Sequence, residues 1–279
     1  MPKTNPLYKR IGIVYNPEKE RAEAEFQRLT RWFHQRQIAT NGGTQVTAAM
    51  RRANLIVALG GDGTVLATAR AVASWGIPVL GVNVGRLGFL AATEVGAMFR
   101  TLSRVLSGQG RVQNHTMLSV RWGSRGKFNR PVLALNDCVI RSGAIGRVAV
   151  LDALVRDRLL ASYVGDGLIV ATPTGSTAYN LAASGPIVSP DLDVMLLSPI
   201  CPHSLSQRPL VMPSYEIVTI EVSRSSPAAF LSLDGQLNQP LKPGDRVEVR
   251  RAAEQVQLLM DPDRSYYQVL KAKLKWGGP

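Results

Sequence analysis

The feature that most constrains the fold is an alternation of short aliphatic runs with helical patterns along residues 1–108. Three of these runs predict buried strands: residues 11–15, 55–59 and 78–82. Apolar residues recur every three or four positions over residues 18–37, which predicts a helix there. Strands that alternate with helices form a parallel sheet covered by helices, so we predict an α/β domain over residues 1–108.

The next part of the chain has a different rhythm. Residues 109–264 contain many short alternating segments separated by turn sequences, and this pattern predicts a β-rich domain. Two stretches depart from it, because residues 176–184 favour a short helix and residues 265–275 favour an amphipathic terminal helix. The fold class is therefore an α/β N-terminal domain followed by a β-rich domain and a helical segment over residues 265–279.

Glycine-containing tripeptides predict turns. Asn-Gly-Gly at residues 41–43 predicts a turn inside the first domain. The Gly-Asp-Gly sequence at residues 165–167 and the Asp-Gly-Gln sequence at residues 234–236 each border an apolar run. Taken alone, each of these two sequences predicts a hairpin turn.

Composition excludes several classes of protein. Lysine and arginine number 33 against 20 aspartate and glutamate residues, and this surplus favours anionic partners. The basic residues occur at most in pairs, without interleaved aromatic residues, so we predict no nucleic-acid partner. No apolar run approaches the ~18 residues of a membrane helix, so we predict no membrane partner. The two cysteines are expected to be reduced, buried thiols of a cytoplasmic protein.

The sequence Gly-Gly-Asp-Gly-Thr at residues 60–64 lies between a predicted buried strand and a predicted helix. Glycines allow the backbone to approach a phosphate closely, and a helix N-terminus offers unpaired N–H groups to an anion. A carboxylate there does not bind phosphate, but Asp62 could orient or deprotonate a hydroxyl nucleophile. The alternative is a tight turn in which Asp62 caps the helix.

Polar residues in the second domain add a possible ligand site. Residues 172–177 carry four hydroxyl side chains, more than one capping turn needs, and Tyr179 adds an aromatic face. The surplus predicts a row of hydrogen-bond donors for a polar ligand. Asn136 and Asp137 interrupt an apolar strand pattern, so one of them is expected to be buried or to mark a strand end. The residue types and spacings of a zinc cluster or a Walker phosphate loop are missing from the sequence, so we predict no dedicated metal site.

Together these motifs resemble the NAD kinase family, and they occur in the family's order over residues 10–276. The resemblance is carried by residues 60–64, 85–90, 136–137, 165–167, 172–179 and 234–236. It implies transfer of the ATP γ-phosphoryl group to the adenosine ribose 2′-hydroxyl of NAD. It also implies Mg²⁺ or another divalent cation with ATP, a homo-oligomer, a β-sandwich second domain, and a C-terminal helix that returns to the first domain.

The resemblance also implies roles for single residues. Asp62 resembles the general base, and Gly61, Gly63 and Thr64 would lie against phosphates. The residues expected to bind the dinucleotide are Asn136, Asp137, Arg147, Asp166, Thr174, Thr177, Ala178, Tyr179, Ala182, Asp234 and Gln236. Val164 stands where the family often has a basic residue, which leaves the preference for NAD or NADH open.

Two alternatives remain open: a kinase of the same superfamily with another substrate, and a protein of a different class that binds nucleotides without catalysis. A lipid or sugar kinase would also fit the turn at residues 60–64, although the row of hydroxyl groups favours a polar ligand. A nucleotide sensor without catalysis is less compatible with an acidic side chain beside the phosphates.

Overall fold

We describe a computed structural model of the chain that covers residues 8–85, 88–124, 126–143, 146–261, 263 and 265–276. It divides into two compact units. The first unit contains the residues up to Asn114 together with those from Gln255 onward, and the second is His115–Glu254. The chain therefore leaves the first unit once and returns to it.

The helices and strands follow in chain order. The strands are β1 Arg10–Tyr15, β2 Ala39–Gly43, β3 Leu55–Gly60, β4 Val79–Asn83, β5 Thr93–Glu94, β6 Arg111–Ser124, β7 Lys127–Phe128, β8 Val132–Ala134, β9 Asp137–Ser142, β10 Ala149–Val155, β11 Arg158–Gly165, β12 Gly167–Ala171, β13 Val194–Ile200, β14 Leu210–Pro213, β15 Val218–Val222, β16 Ala229–Leu233, β17 Leu237–Leu241 and β18 Arg246–Met260. The α-helices are α1 Ala22–His34, α2 Asp62–Val72, α3 Met98–Leu106, α4 Tyr179–Ala182 and α5 Tyr266–Leu274. Short 3₁₀ turns are Ala48–Arg52, Ala73–Trp75, Val95–Ala97 and Thr174–Thr177. None of the helices in the described ranges is long and apolar enough to cross a membrane.

The first unit is built on a parallel sheet with the order β2-β1-β3-β4, as the alternation of strands and helices predicts. Strand β3 is buried along its whole length, which explains its aliphatic composition. Helix α1 buries Ala22, Leu29 and Phe33, three members of the predicted stripe. These side chains form one core with the strands, and this core completes the predicted α/β unit.

The prediction of a turn at residues 41–43 is wrong, because these residues belong to β2 and pair in parallel with β1. Gly42 is required for close packing and not for a turn conformation. A Cβ atom on Gly42 would overlap the aromatic ring of Phe26 on α1. Asn-Gly-Gly is therefore compatible both with a turn and with an edge strand on which a helix packs closely.

The C-terminal segment belongs to the first unit, as the resemblance implies. Helix α5 starts with a capping box, in which Ser265 and Gln268 satisfy each other's backbone N–H groups. It buries Val269 and Leu270, and the Lys273 ammonium group lies 5.7 Å from the centroid of the Phe89 ring. Just before the helix, Arg104 of α3 pairs with Asp263.

The second unit contains two antiparallel sheets. One is a six-stranded sheet with the order β14-β13-β12-β9-β16-β17. The other joins β11, β10 and β15 to the first part of β18. Aliphatic side chains of both sheets form one core, which includes Leu168, Val170, Ile220 and Val249. This arrangement confirms the predicted β-rich domain.

The Gly-Asp-Gly sequence at residues 165–167 does not form the predicted hairpin turn. Strand β11 ends at Gly165 in one sheet, whereas β12 begins at Gly167 in the other. A Cβ atom on Gly167 would overlap the backbone oxygen of Ile140, so the glycine permits a close approach to the neighbouring antiparallel strand β9. The cysteine prediction is also wrong in part, because Cys138 is buried but Cys201 is exposed.

Candidate active site

Residues 60–64 form the junction between β3 and α2, as predicted. The N-cap residue of α2 is Gly61, and no side chain caps this end of the helix. Asp62 is the first residue of the helix, so the alternative in which Asp62 caps it is wrong. The Asp62 carboxylate instead accepts hydrogen bonds from the backbone N–H groups of Phe89 and Leu90, at 2.8 and 3.2 Å. Each oxygen keeps a free lone pair, so the carboxylate is held in position but can still accept a proton.

The loop that holds Asp62 approaches it closely at Gly88. A Cβ atom at this position would overlap the Asp62 carboxylate. The motif at residues 85–90 therefore has a definite role, since its last three residues set the orientation of the carboxylate. Arg86 and Leu87 lie outside the described residues.

The order β2-β1-β3-β4 places a switch point between β1 and β3, and ligands of open parallel sheets bind beyond the carboxyl ends of the strands there. A pocket of about 490 Å³ lies at this edge, with Lys19 and Arg21 after β1, Asn83 at the end of β4 and Gly85 shortly after it. The N-terminus of α2, at Asp62, follows β3 at the same edge. The helix N-terminus favours an anionic ligand, whereas the pocket lining combines the two basic side chains with Glu20, Glu25 and Glu94.

In the second unit, Asp234 organises the start of β9. Its carboxylate accepts from the backbone N–H groups of Leu135, Asn136 and Asp137 at 3.0, 2.7 and 3.1 Å. Asp234 and Gly235 have φ angles of 53° and 65° and form the predicted hairpin turn between β16 and β17. The turn therefore aims a carboxylate at a backbone segment that is distant in sequence.

Asp137 is buried, as one of the two adjacent polar residues was expected to be. Burial and, to a smaller extent, the negative charge of Asp234 raise the pKa of Asp137 to about 7, whereas a hydrogen bond from the Tyr179 backbone N–H opposes the shift. The carboxyl group is thus close to half protonated at neutral pH and can act as donor or acceptor toward a ligand.

We expect Asp137 to make the ligand-free protein less stable as the pH rises. Between its unfolded pKa of 3.8 and its folded pKa of about 7, the folded state holds a proton that the unfolded state lacks. The free energy of unfolding therefore falls by roughly 1.4 kcal/mol per pH unit, on the order of 4 kcal/mol in total. Urea unfolding from pH 4 to pH 8 should show that Asp137→Asn gains stability relative to wild type by this amount.

The comparison with Asp137→Asn separates the effect of Asp137 on stability from that of His115, which titrates over an overlapping pH range. Burial lowers the pKa of His115 to about 4, so its contribution to stability rises with pH over part of the same range. His115 is present in both proteins, and its contribution cancels in the difference. A difference that stays constant from pH 4 to pH 8 would contradict the raised pKa of Asp137.

The hydroxyl groups of residues 172–177 are not the open row of donors that the sequence predicts. Thr172 and Ser176 are fully buried. Three of the four hydroxyl groups donate to backbone oxygen atoms: Thr172 to Leu135 at 2.6 Å, Ser176 to Val188 at 3.1 Å and Thr177 to Thr174 at 3.2 Å. They stabilise an irregular 3₁₀ turn, which then passes into the short helix α4. The helix predicted over residues 176–184 is therefore shorter than expected, because α4 spans only Tyr179–Ala182.

Three predicted site residues line one pocket of about 590 Å³: Asp166, Tyr179 and Ala182. Sequence reasoning missed other residues of its wall, among them Cys201, Gln207 and Arg208. These lie in residues 201–209, whose sequence shows no helical or strand pattern. Tyr179 keeps 40% of its surface exposed, which leaves its ring available for a ligand.

The remaining predicted residues are dispersed in the second unit. Ala178 lies between the 3₁₀ turn and α4, and it is partly buried. Arg147 is exposed just before β10, and Gln236 is exposed at the end of the hairpin turn. Sequence reasoning also missed His115, whose ring lies 2.8 Å from the Thr174 hydroxyl. Its signal was its place among the inward positions of β6, since Gln113 and Met117 on either side are also buried.

Solved structures with this architecture are known. Yeast NADH kinase in complex with NADH has a TM-score of 0.84 and 26% identity, over 99% of this chain and 90% of that one. An NAD kinase from Archaeoglobus fulgidus in complex with ATP has a TM-score of 0.81 over 96% of this chain and 100% of that one. Its identity of 22% supports the fold alone.

A carboxylate held at the start of a helix after a parallel strand suits phosphoryl transfer, and the family matches define the class as a phosphotransferase. Residues 44–110 match the model of the ATP-NAD kinase N-terminal domain, and residues 135–260 match that of the C-terminal domain. NAD kinases of Heliobacterium modesticaldum and Geobacter metallireducens are 40% and 39% identical, each over 96% of this chain and 99% of that protein. The chain belongs to the ATP-NAD kinase family and acts as an NAD kinase.

Proposed function

We propose that the chain transfers the γ-phosphoryl group of ATP to the adenosine ribose 2′-hydroxyl of NAD, with Asp62 as the general base. The observation that carries this proposal is the Asp62 carboxylate, fixed by two backbone N–H groups at the N-terminus of α2. Phosphoryl transfer depends mainly on positioning and on neutralisation of charge. A fixed carboxylate supplies the positioning, because it accepts the hydroxyl proton as the oxygen attacks phosphorus.

The phosphates of ATP are assigned to the switch-point edge of the first unit. Gly61, Gly63 and Thr64 lie at the start of α2, and Lys19 and Arg21 line the adjoining pocket. Gly61 has no atom within 4 Å of the position where a Cβ would stand, so its backbone is open to a ligand. This openness and the unpaired N–H groups of the helix N-terminus support a triphosphate at this edge.

A divalent cation, Mg²⁺ in the simplest case, fits as a companion of ATP rather than as a resident ion. Among the described residues there is no cluster of three or more side chains that could hold a metal. Mg²⁺ in such enzymes binds phosphate oxygens and one or two carboxylates, and Glu20 and Glu94 line the pocket. When bound, the cation would neutralise charge on the phosphoryl oxygens.

NAD is assigned to the second unit. Asn136 and Asp137 would hold its adenosine part, and Asp166, Tyr179 and Ala182 its other end. Support comes from the raised pKa of the Asp137 carboxyl group and from the 590 Å³ pocket that the last three residues line. Arg147, Thr174, Thr177, Ala178, Asp234 and Gln236 complete the proposed set. A homo-oligomer in the cytoplasm is the proposed state of the protein.

The test is an assay of the purified full chain with NAD, ATP and Mg²⁺, in which NADP is measured by an NADP-specific dehydrogenase. We expect NADP to form in proportion to enzyme and time, and we expect no product when ATP or NAD is omitted. A folded protein that forms no NADP would overturn the proposal. A panel of lipid and sugar acceptors with radiolabelled ATP would then identify the alternative substrate class.

A further inference from the structure

Of the four hydroxyl groups of residues 172–177, one does not donate its proton to a backbone oxygen atom. Thr172, Ser176 and Thr177 each donate their proton to a backbone oxygen atom. The Thr174 hydroxyl is different, because its partner is the Nδ1 atom of His115 at 2.8 Å. Thr174 also keeps 6% of its surface exposed, whereas Thr172 and Ser176 keep none. Thr174 is therefore the hydroxyl of this segment that a ligand could still use.

His115 decides whether the Thr174 proton is available. The ring is 3% exposed, and burial lowers its pKa to about 4 against an opposing effect of Asp191, so the ring is neutral at pH 7. A neutral imidazole carries one N–H group, either on Nδ1 or on Nε2. If Nδ1 accepts, the Thr174 proton is consumed; if Nδ1 donates, that proton remains free.

The surroundings of the second ring nitrogen favour donation from Nδ1. The Nε2 atom of His115 is buried and has no hydrogen-bond partner within the part of the chain that the structure describes. A buried N–H group without an acceptor is rarer than a buried acceptor without a donor. The proton therefore belongs on Nδ1, where Thr174 Oγ1 accepts it.

We propose that His115 is a positioning residue that donates from Nδ1 to Thr174 Oγ1 and so presents the Thr174 hydroxyl proton to an acceptor atom of the bound dinucleotide. This inference rests on the proposed role of Thr174 in NAD binding. The hydrogen bond from His115 occupies one lone pair of Thr174 Oγ1. It therefore fixes the direction in which the Thr174 hydroxyl group donates its own proton. Tight binding then requires the histidine although it does not touch the ligand.

Two substitutions separate the contribution of the Nδ1 position from that of the side chain as a whole. In His115→Asn, the amide nitrogen stands one bond from Cγ, as Nδ1 does, and can still donate to Thr174. In His115→Gln, the amide lies further out, near the position of Nε2. Titration calorimetry with NAD should give a Kd for His115→Asn within about threefold of wild type. We expect an increase in Kd of about tenfold for His115→Gln and for Thr174→Val.

The double variant His115→Gln/Thr174→Val tests whether the histidine acts through the threonine. Its Kd should equal that of Thr174→Val alone, because the second change removes nothing further. Independent effects that multiply would overturn the inference, as would equal losses in the asparagine and glutamine variants. The matched control is His34→Gln, an exposed histidine on α1, which should leave Kd unchanged.

The possible failures can be told apart. If the wild-type chain does not bind NAD, the proposed function fails. If NAD binds but Thr174→Val has no effect on Kd, the role of Thr174 and this inference fail together while the kinase activity stands. If the glutamine variant does not fold, the asparagine variant decides, because a tenfold loss of affinity in that folded protein would overturn the inference.

Discussion

Asp62→Asn is expected to reduce kcat for NADP formation by about 10² to 10⁴-fold, the range typical of a lost general base. The asparagine has the same size but cannot accept the proton of the 2′-hydroxyl. NAD should still bind with similar affinity, because the proposed dinucleotide residues lie in the second unit. Steady-state kinetics and titration calorimetry with NAD, on the same preparation, measure the two quantities.

Two controls distinguish loss of the base from loss of structure. The substitution replaces one carboxylate oxygen, an acceptor, by an amide NH₂ group, a donor, so one of the N–H groups of Phe89 and Leu90 loses its acceptor. Thermal unfolding of the variant shows whether this change disturbs the fold. Turnover that survives within tenfold of wild type would leave the reaction in place but remove Asp62 as the base.

Sequence reasoning succeeded where a local pattern determines the structure. The aliphatic run at residues 55–59 predicts a buried strand, and it is buried throughout in β3. The Ser265 and Gln268 pair lies where the terminal helix was predicted to begin, and it forms a capping box. Such elements depend on residues that are close to each other in the chain, so the local sequence is enough to predict them.

The two wrong turn predictions, at residues 41–43 and 165–167, have one physical cause, which is that glycine serves several purposes. A glycine in a turn needs a positive φ angle, whereas Gly42 and Gly167 need only the absence of a Cβ atom, because another part of the chain approaches them. Those neighbours are the Phe26 ring and the Ile140 backbone oxygen. A single sequence does not distinguish the two purposes, and both stretches were therefore predicted as turns.

The candidate site was predicted in its composition but not in its internal contacts. Asp62 and Asp234 were both selected, yet their partners lie 27 and 97 residues away, at Phe89 and Asp137. No local pattern reports such pairs. The hydroxyl groups of residues 172–177 show the opposite error, because their number suggested ligand donors while most of them stabilise the backbone.

The second large effect is expected at Gly88, which does not react but controls where Asp62 stands. Gly88→Ala should lower kcat by about 10²-fold, since a misplacement of about 1 Å is enough for such a loss. The added methyl group would overlap the Asp62 carboxylate, and the carboxylate must move because it is the mobile end of a side chain. The φ angle of Gly88 is not in the left-handed region, so the backbone itself accepts alanine.

The matched control is Gly43→Ala, because no atom lies within 4 Å of the added Cβ and the φ angle is again permissive. It should retain wild-type kcat. The double variant Gly88→Ala/Asp62→Asn should be no less active than Asp62→Asn alone, since both changes remove the same positioned carboxylate. Losses that multiply would show that Gly88 acts on some other step. Full activity in Gly88→Ala would mean that the backbone contacts of Phe89 and Leu90 do not determine where Asp62 reacts.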